Sequence, residues 1–188
     1  MDDKPLFVHC NNYFPKSYVD KLLNIVYQQE FEKAITNNLN TTNKIRKSLN
    51  NQFTGPQWND PDLRMIYLET LQIISWANSF YNFDINIEEH VVQLTKYSEQ
   101  GSLYGWHNDA DFLFREGPPY SQRKLSCTII LKEAEEGGIF ETQHGTGDFD
   151  QKAGSIFVFP SFYSHQVTPI IKGERISIVT WTCGPEWR

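Results

Sequence analysis

The sequence predicts a mainly β domain, a sandwich or barrel, with α-helices packed on one face. Three observations predict it. Helical periodicity is confined to the part of the chain before residue 84. From there on, six or more short apolar runs alternate with turn residues. The chain has 188 residues, 39% of them hydrophobic and 14% aromatic, enough for one domain with a sizeable core. Helices that precede a run of strands are expected to cover one face of the resulting sheet.

The elements follow in order. "SYVDKLLNIVYQQ" places Val19, Leu22, Leu23 and Val26 at helical spacing. "DPDLRMIYLETLQIISWANSFY" reads as a longer helix, with Asp60 as N-cap, Pro61 at the first helical position, and Leu63, Tyr67, Leu71, Ile74 and Ala77 as its apolar stripe. Between them, "NNLNTTNKIRKSLNNQFTGPQWN" reads as a long loop with room for one short strand. The strands are expected in "INIEEHVVQLTKY", "RKLSCTIILK", "GGIFET", "GSIFVFP", "SHQVTPI" and "ERISIVTWT", separated by turns such as "EQGS", "EGPP", "GTGD" and "IKGE". The expected organisation is one domain over 1–188, with a helical support region at 1–83 and a β-barrel core at 84–183.

Lys plus Arg number 17 and Asp plus Glu 23, a net charge of −6. This argues against broad electrostatic binding to nucleic acid or anionic lipid. The three cysteines, Cys10, Cys127 and Cys183, are odd in number and show no CxxC spacing, so neither a disulfide framework nor a cysteine zinc site is expected. The N-terminal "MDDKPLFVHC" is acidic and lacks an apolar leader, and no run approaches the length of a membrane span. The expectation is a cytoplasmic protein with no membrane or nucleic-acid partner.

The chemistry concentrates in "YGWHNDADF", residues 104–112. On a strand or at its end, His107 and Asp109 would point to the same side. Asp111, four residues past His107, is the rival carboxylate. A third ligand must come from elsewhere, and His165, at the end of the apolar run "GSIFVFPSFYS", is the best placed. His144 lies in a Gly-rich turn, and His90 and His9 have no partner pattern. Two histidines and one carboxylate form the facial set of non-haem Fe(II) oxygenases, and zinc hydrolases use the same ligand types. In "ERISIVTWT", Arg175, Ser177, Val179 and Trp181 share one strand face. A buried guanidinium needs a partner, none is obvious nearby in the sequence, and a bound carboxylate would serve.

The combination "YSEQGSLYGWHND", "GGIFE" and "AGSIFVFPSFYSHQVTPIIKGERISIVTW" resembles the Fe(II)- and 2-oxoglutarate-dependent dioxygenases, with nearest likeness to the prolyl 4-hydroxylase-like branch, over roughly residues 84–183. The resemblance implies a double-stranded β-helix (jelly-roll or cupin-like) barrel supported by N-terminal helices. It implies that His107, Asp109 and His165 bind Fe(II) and carry catalysis, and that Arg175, Tyr97 and Ser177 bind 2-oxoglutarate. It places Arg123, Trp181 and Tyr104 on the substrate side, with Trp106 helping to wall off the site. O2 would be the second cosubstrate, and ascorbate a possible stimulant. One departure concerns Ile130, where several relatives carry a tyrosine that reaches the 2-oxoglutarate; Ser177 or Tyr97 would compensate. The expected reaction hydroxylates a C–H bond, first of all in a prolyl residue of a protein or peptide substrate, with release of succinate and CO2. The alternatives are the same chemistry on a small molecule or another residue, a non-catalytic cupin-like binding module, or a zinc hydrolase, which would leave Arg175 without a purpose. The oligomeric state is open. The segments "TNNLNTTNKIRKSLNNQFTG" and "DFLFREGPPYSQ" are candidate covers for the substrate.

Overall fold

The structure, a computed structural model, describes residues 4–34, 46–54, 59–110 and 122–187. Asp111 and most of both candidate covering segments lie outside these residues. Helix α1 spans Lys16–Tyr27 and buries Val19, Leu22, Ile25 and Val26. Helix α2 spans Pro61–Tyr81. The Asp60 side chain accepts hydrogen bonds from the N–H groups of Asp62 and Leu63, at 2.9 and 3.1 Å, which satisfies donors that the first helical turn leaves unpaired. Asn82 ends the helix in the left-handed region, φ 51°.

Thirteen strands are described: β1 Val8–Cys10, β2 Glu32–Lys33, β3 Arg46–Lys47, β4 Leu49–Thr54, β5 Asn86–Tyr97, β6 Leu103–His107, β7 Gln122–Lys132, β8 Glu136–Gly137, β9 Phe140–Thr142, β10 Ile156–Pro160, β11 His165–Val167, β12 Ile170–Lys172 and β13 Arg175–Gly184. Seven form one sheet in the order β1-β10-β7-β13-β5-β4-β2. Four form a second, β3-β6-β11-β9, and β12 pairs with β8. Every pairing is antiparallel.

The core has two layers, separated by the seven-stranded sheet. On one side α1 and α2 pack against Val92, Leu94, Leu125, Cys127, Ile129, Leu131 and Ile178. On the other, between the two larger sheets, Tyr97, Ile130, Phe140, Phe157, Phe159 and Val167 form a second cluster. Strand β7 shows the division: Leu125, Cys127, Ile129 and Leu131 face the helices, while Ser126, Thr128 and Ile130 face the barrel interior. Burial on both faces is why "LSCTIIL" reads as a nearly continuous apolar run.

The structure departs from the expected layout in three places. Residues 1–83 are not purely helical, because β1, β2 and β4 join the large sheet and β3 joins the smaller one. "GGIFET" is not one strand, since it is split between β8 and β9 in different sheets, and "SHQVTPI" breaks between β11 and β12. The cause is local. Pro169 has no N–H for a ladder, and its carbonyl accepts from Gly138 N. Gly137 has φ +77°, and a Cβ there would overlap the Pro169 carbonyl oxygen, so only glycine lets the two hairpin arms approach this closely.

Candidate metal and cosubstrate site

The site lies inside the barrel, at the end of the short sheet. Strand β6 ends at His107, and His165 opens β11 as its direct cross-strand partner. The register shifts between His165 and Val167, whose partner is Tyr104. This bulge lets Tyr104 and His107, three residues apart, both face the chamber, with ring centroids 3.4 Å apart and nearly parallel planes. Trp106, between them, is 52% exposed and does not wall the site. Asp109 reaches the same point without being on the strand. Its N–H and that of Ala110 both donate to the Ser161 carbonyl, at 2.9 Å, which folds the chain back toward the imidazoles.

The donor atoms of His107, Asp109 and His165 all lie within 4.8 Å of one another. His107 Nε2 is 3.7 Å from Asp109 Oδ1, and His165 Nε2 is 3.5 Å from Asp109 Oδ2. Each imidazole is held by its other nitrogen: Nδ1 of His107 lies 2.8 Å from the Gly105 carbonyl, and Nδ1 of His165 lies 3.1 Å from the Tyr163 carbonyl. A carbonyl can only accept, so Nδ1 carries the proton and both Nε2 lone pairs point into the site. Burial and the neighbouring His165 push His107 down to about 3, which keeps it neutral and able to ligate. Burial would raise the Asp109 carboxyl, but the imidazoles of His165 and His107, whenever they carry a proton, and the Arg123 guanidinium outweigh it and hold it below the usual carboxylate range. Two imidazole nitrogens and one carboxylate at this spacing fit a divalent metal ion.

Deeper in the barrel, Arg175 is 2% exposed. Its Nη1 donates to Ser177 Oγ at 2.8 Å, and its guanidinium carbon lies 5.7 Å from the Tyr97 ring centre. Among the described residues its buried Nη2 has no hydrogen-bond partner, and no carboxylate pairs with it. An unpaired buried cation is costly, and a carboxylate supplied by a ligand would relieve it. This donor set fits the distal carboxylate of a 2-oxo diacid. Tyr97, Ser177, Val179, Thr128, Phe140 and Phe159 line the passage between Arg175 and the triad. Ile130 packs in the interior aromatic cluster with Tyr97.

Toward solvent the chamber opens into a cleft of about 810 Å³. Arg123 lies at its edge, its guanidinium 4.1 Å from the Trp181 ring centre and its Nη1 3.9 Å from Asp109 Oδ1. The Trp181 indole is buried beside the Asp109 carboxylate. The sequence reading missed Arg46, on β3 within the Asn-rich segment. It is 9% exposed, donates from Nε to Ser48 Oγ at 3.2 Å, and covers the Tyr104 ring at 4.4 Å. Its only sequence signal is the alternation of Arg46, Ser48 and Asn50, which gives a polar strand face. It also missed Ser126 and Ser161, which hydrogen-bond around Asp109. His90, read as structural, is buried between α2 and the sheet among threonine hydroxyls.

A family model described as the 2OG-Fe(II) oxygenase superfamily matches residues 92–183, from β5 through the Arg175 strand. The likeness to this superfamily covers these residues, just under half of the chain. A PKHD-type hydroxylase of Alteromonas mediterranea is 41% identical to this chain over 91 residues, 46% of the chain; the match spans only 40% of that relative's length. Two solved structures share the fold. A prolyl-4-hydroxylase of Pseudomonas putida superposes with a TM-score of 0.73 over 96% of this chain and 94% of that one, at 19% identity. A prolyl hydroxylase of Trichoplax adhaerens, in complex with a hypoxia inducible factor oxygen degradation domain peptide fragment, gives 0.70 over 94% and 83%, at 18% identity. The double-stranded β-helix barrel expected for the family is therefore the fold observed. No helix among the described residues is long and apolar enough to cross a membrane.

Proposed function

We propose that this protein is an Fe(II)- and 2-oxoglutarate-dependent hydroxylase acting on a prolyl residue in a protein or peptide. The observation that carries the reading is the pairing of two features in one chamber: a His107–Asp109–His165 donor cluster, and a buried Arg175 with an unpartnered Nη2. A zinc hydrolase would use the first and leave the second without a role. The barrel's likeness to prolyl hydroxylases and the open cleft beside the triad support a polypeptide substrate.

In this reading His107, Asp109 and His165 hold the iron, while Arg175 and Ser177 hold the far carboxylate of 2-oxoglutarate, with Tyr97 as the side wall. Iron, 2-oxoglutarate and O2 together supply the oxidant that converts C–H to C–OH, with succinate and CO2 released. The protein does the positioning. Asp109 brings one negative charge to the ligand set, and the carbonyls of Gly105 and Tyr163 fix Nδ1 as the donor and keep both Nε2 atoms aimed into the site. Phe140, Phe159 and Val167 keep the chamber dry. Arg123, Arg46, Tyr104 and Trp181 line the cleft where the substrate chain would lie. Residues 1–188 act as one unit in this account, because strands from before and after residue 84 share both larger sheets.

The test is a screen of proline-containing peptides with Fe(II), 2-oxoglutarate and O2, read by succinate release and by a gain of one oxygen in the peptide. Succinate released in step with a hydroxyprolyl product supports the proposal. Hydroxylation confined to small molecules would refute the peptide assignment, and activity independent of 2-oxoglutarate would refute the reaction class.

A further inference from the structure

Asp109 is tethered by a directed chain of hydroxyls that the reaction scheme does not use. Ser126 Oγ lies 2.7 Å from Asp109 Oδ2 and 2.8 Å from Ser161 Oγ. An ionised carboxylate can only accept, so Ser126 spends its single hydroxyl proton on Oδ2. It must then accept from Ser161, which fixes the order as Ser161 to Ser126 to Asp109. Both serines are fully buried. Ser161 is itself pinned: its N–H donates to the Lys124 carbonyl, and its own carbonyl takes the N–H groups of Asp109 and Ala110. It sits in the turn from β10 to β11 that delivers His165.

We infer that Ser126, held by Ser161, is a positioning residue that fixes the rotamer of the Asp109 carboxylate through its hydrogen bond to Oδ2 and so restricts it to one-oxygen ligation. The inference rests on the reading of the triad as a metal site. Its consequence is a matter of counting. A six-coordinate ion with two imidazoles and one carboxylate oxygen keeps three positions open. A 2-oxo acid chelate takes two, and one remains for O2. A carboxylate free to bind through both oxygens would leave two, both filled by the cosubstrate. The hydroxyl therefore keeps the last position available, although it touches neither metal nor substrate. Charge-assisted hydrogen bonds of this length are strong enough to hold a carboxylate rotamer.

The experiment counts water molecules on Mn(II) bound to the protein without 2-oxoglutarate, by pulsed EPR in ¹⁷O-enriched water. It compares wild type, Ser126→Ala, Ser126→Thr and Ser126→Val, with melting temperatures measured alongside. Wild type and Ser126→Thr, which retain the donor, should hold three waters. Ser126→Ala and Ser126→Val, which lack it, should hold two. The Thr and Val variants match in volume, so their comparison stands even if the alanine variant folds poorly. Three waters in Ser126→Ala or Ser126→Val overturns the inference while leaving the metal site intact. Wild type that binds no Mn(II) overturns the metal reading itself, and the inference with it.

Discussion

His107 and His165 face each other as direct partners across the β6–β11 pair, their ring centroids 4.1 Å apart and their planes 53° from parallel. Among the described residues neither imidazole has a hydrogen-bond donor at Nε2, and burial pushes the His107 pKa down, which favours its uncharged form. A metal ion is the natural third party to this arrangement.

Metal binding should therefore raise stability by mass action. At a free Mn(II) concentration of about 100 times Kd the gain is roughly 2.7 kcal/mol. For a domain of this size that is a rise in Tm of roughly 5–10 °C. EDTA should reverse it. His107→Ala and His165→Ala should each remove the shift and abolish succinate formation. A metal-dependent shift of normal size in either variant would take that histidine out of the ligand set.

Arg175 should be read out through the cosubstrate. A hydrogen bond to a charged group contributes about 1.5–3 kcal/mol, so Arg175→Ala should raise the 2-oxoglutarate KM by roughly 10–100-fold. Mn(II) affinity measured without 2-oxoglutarate should stay near wild type, because the guanidinium lies beyond the triad. An unchanged KM would refute the role assigned to Arg175.

His90 predicts an acid-side loss of stability. It is fully buried, with Nδ1 2.7 Å from Thr182 Oγ1 and Nε2 2.9 Å from Thr70 Oγ1, and no carboxylate among its hydrogen-bond partners. Burial pushes its pKa down from 6.5 to about 4. The unfolded chain takes up a proton as pH falls through 6.5, while the folded chain resists until about 4. Stability is thus complete above that window, declines within it, and levels off below it, with a total loss of about 3 kcal/mol. His107 acts in the same direction in metal-free protein. The measurement is therefore a difference: urea midpoints between pH 7 and 4 for wild type and His90→Gln, with the smaller decline expected in the variant.

The Asp60 cap should matter for folding alone. Asp60→Ala removes both acceptor contacts at the start of α2 and should cost about 1 kcal/mol, with the 2-oxoglutarate KM unchanged. A Tm indistinguishable from wild type would show that water caps the helix equally well.

What was legible in the sequence was whatever is encoded locally. Asp60 and Pro61 announce a helix start within two residues, and the alternation of Arg175, Ser177, Val179 and Trp181 announces a strand face. Three things were not legible because they depend on partners far along the chain. Strand β1 is three residues long and exists by pairing with β10. Arg46 enters the site because β3 pairs with β6, where its partner Tyr104 lies 58 residues later. Asp109 is aimed by the Ser161 carbonyl rather than by the two-residue period of a strand, so the period gave a correct pairing with His107 for an incomplete reason. The exposure of Trp106 follows from the bulge opposite β11, which no short-range pattern announces.

Strand β7 is a partition shared by two compartments with opposite demands. Leu125, Cys127, Ile129 and Leu131 seal the wall from the helix side, while Ser126 and Thr128 furnish the reaction chamber. Replacing the first set with polar residues should unfold the protein, whereas replacing the second should leave it folded and inert. A residue-by-residue scan of this one strand would then swing between lost expression and lost turnover at every step, so that seven consecutive positions separate the needs of architecture from those of chemistry.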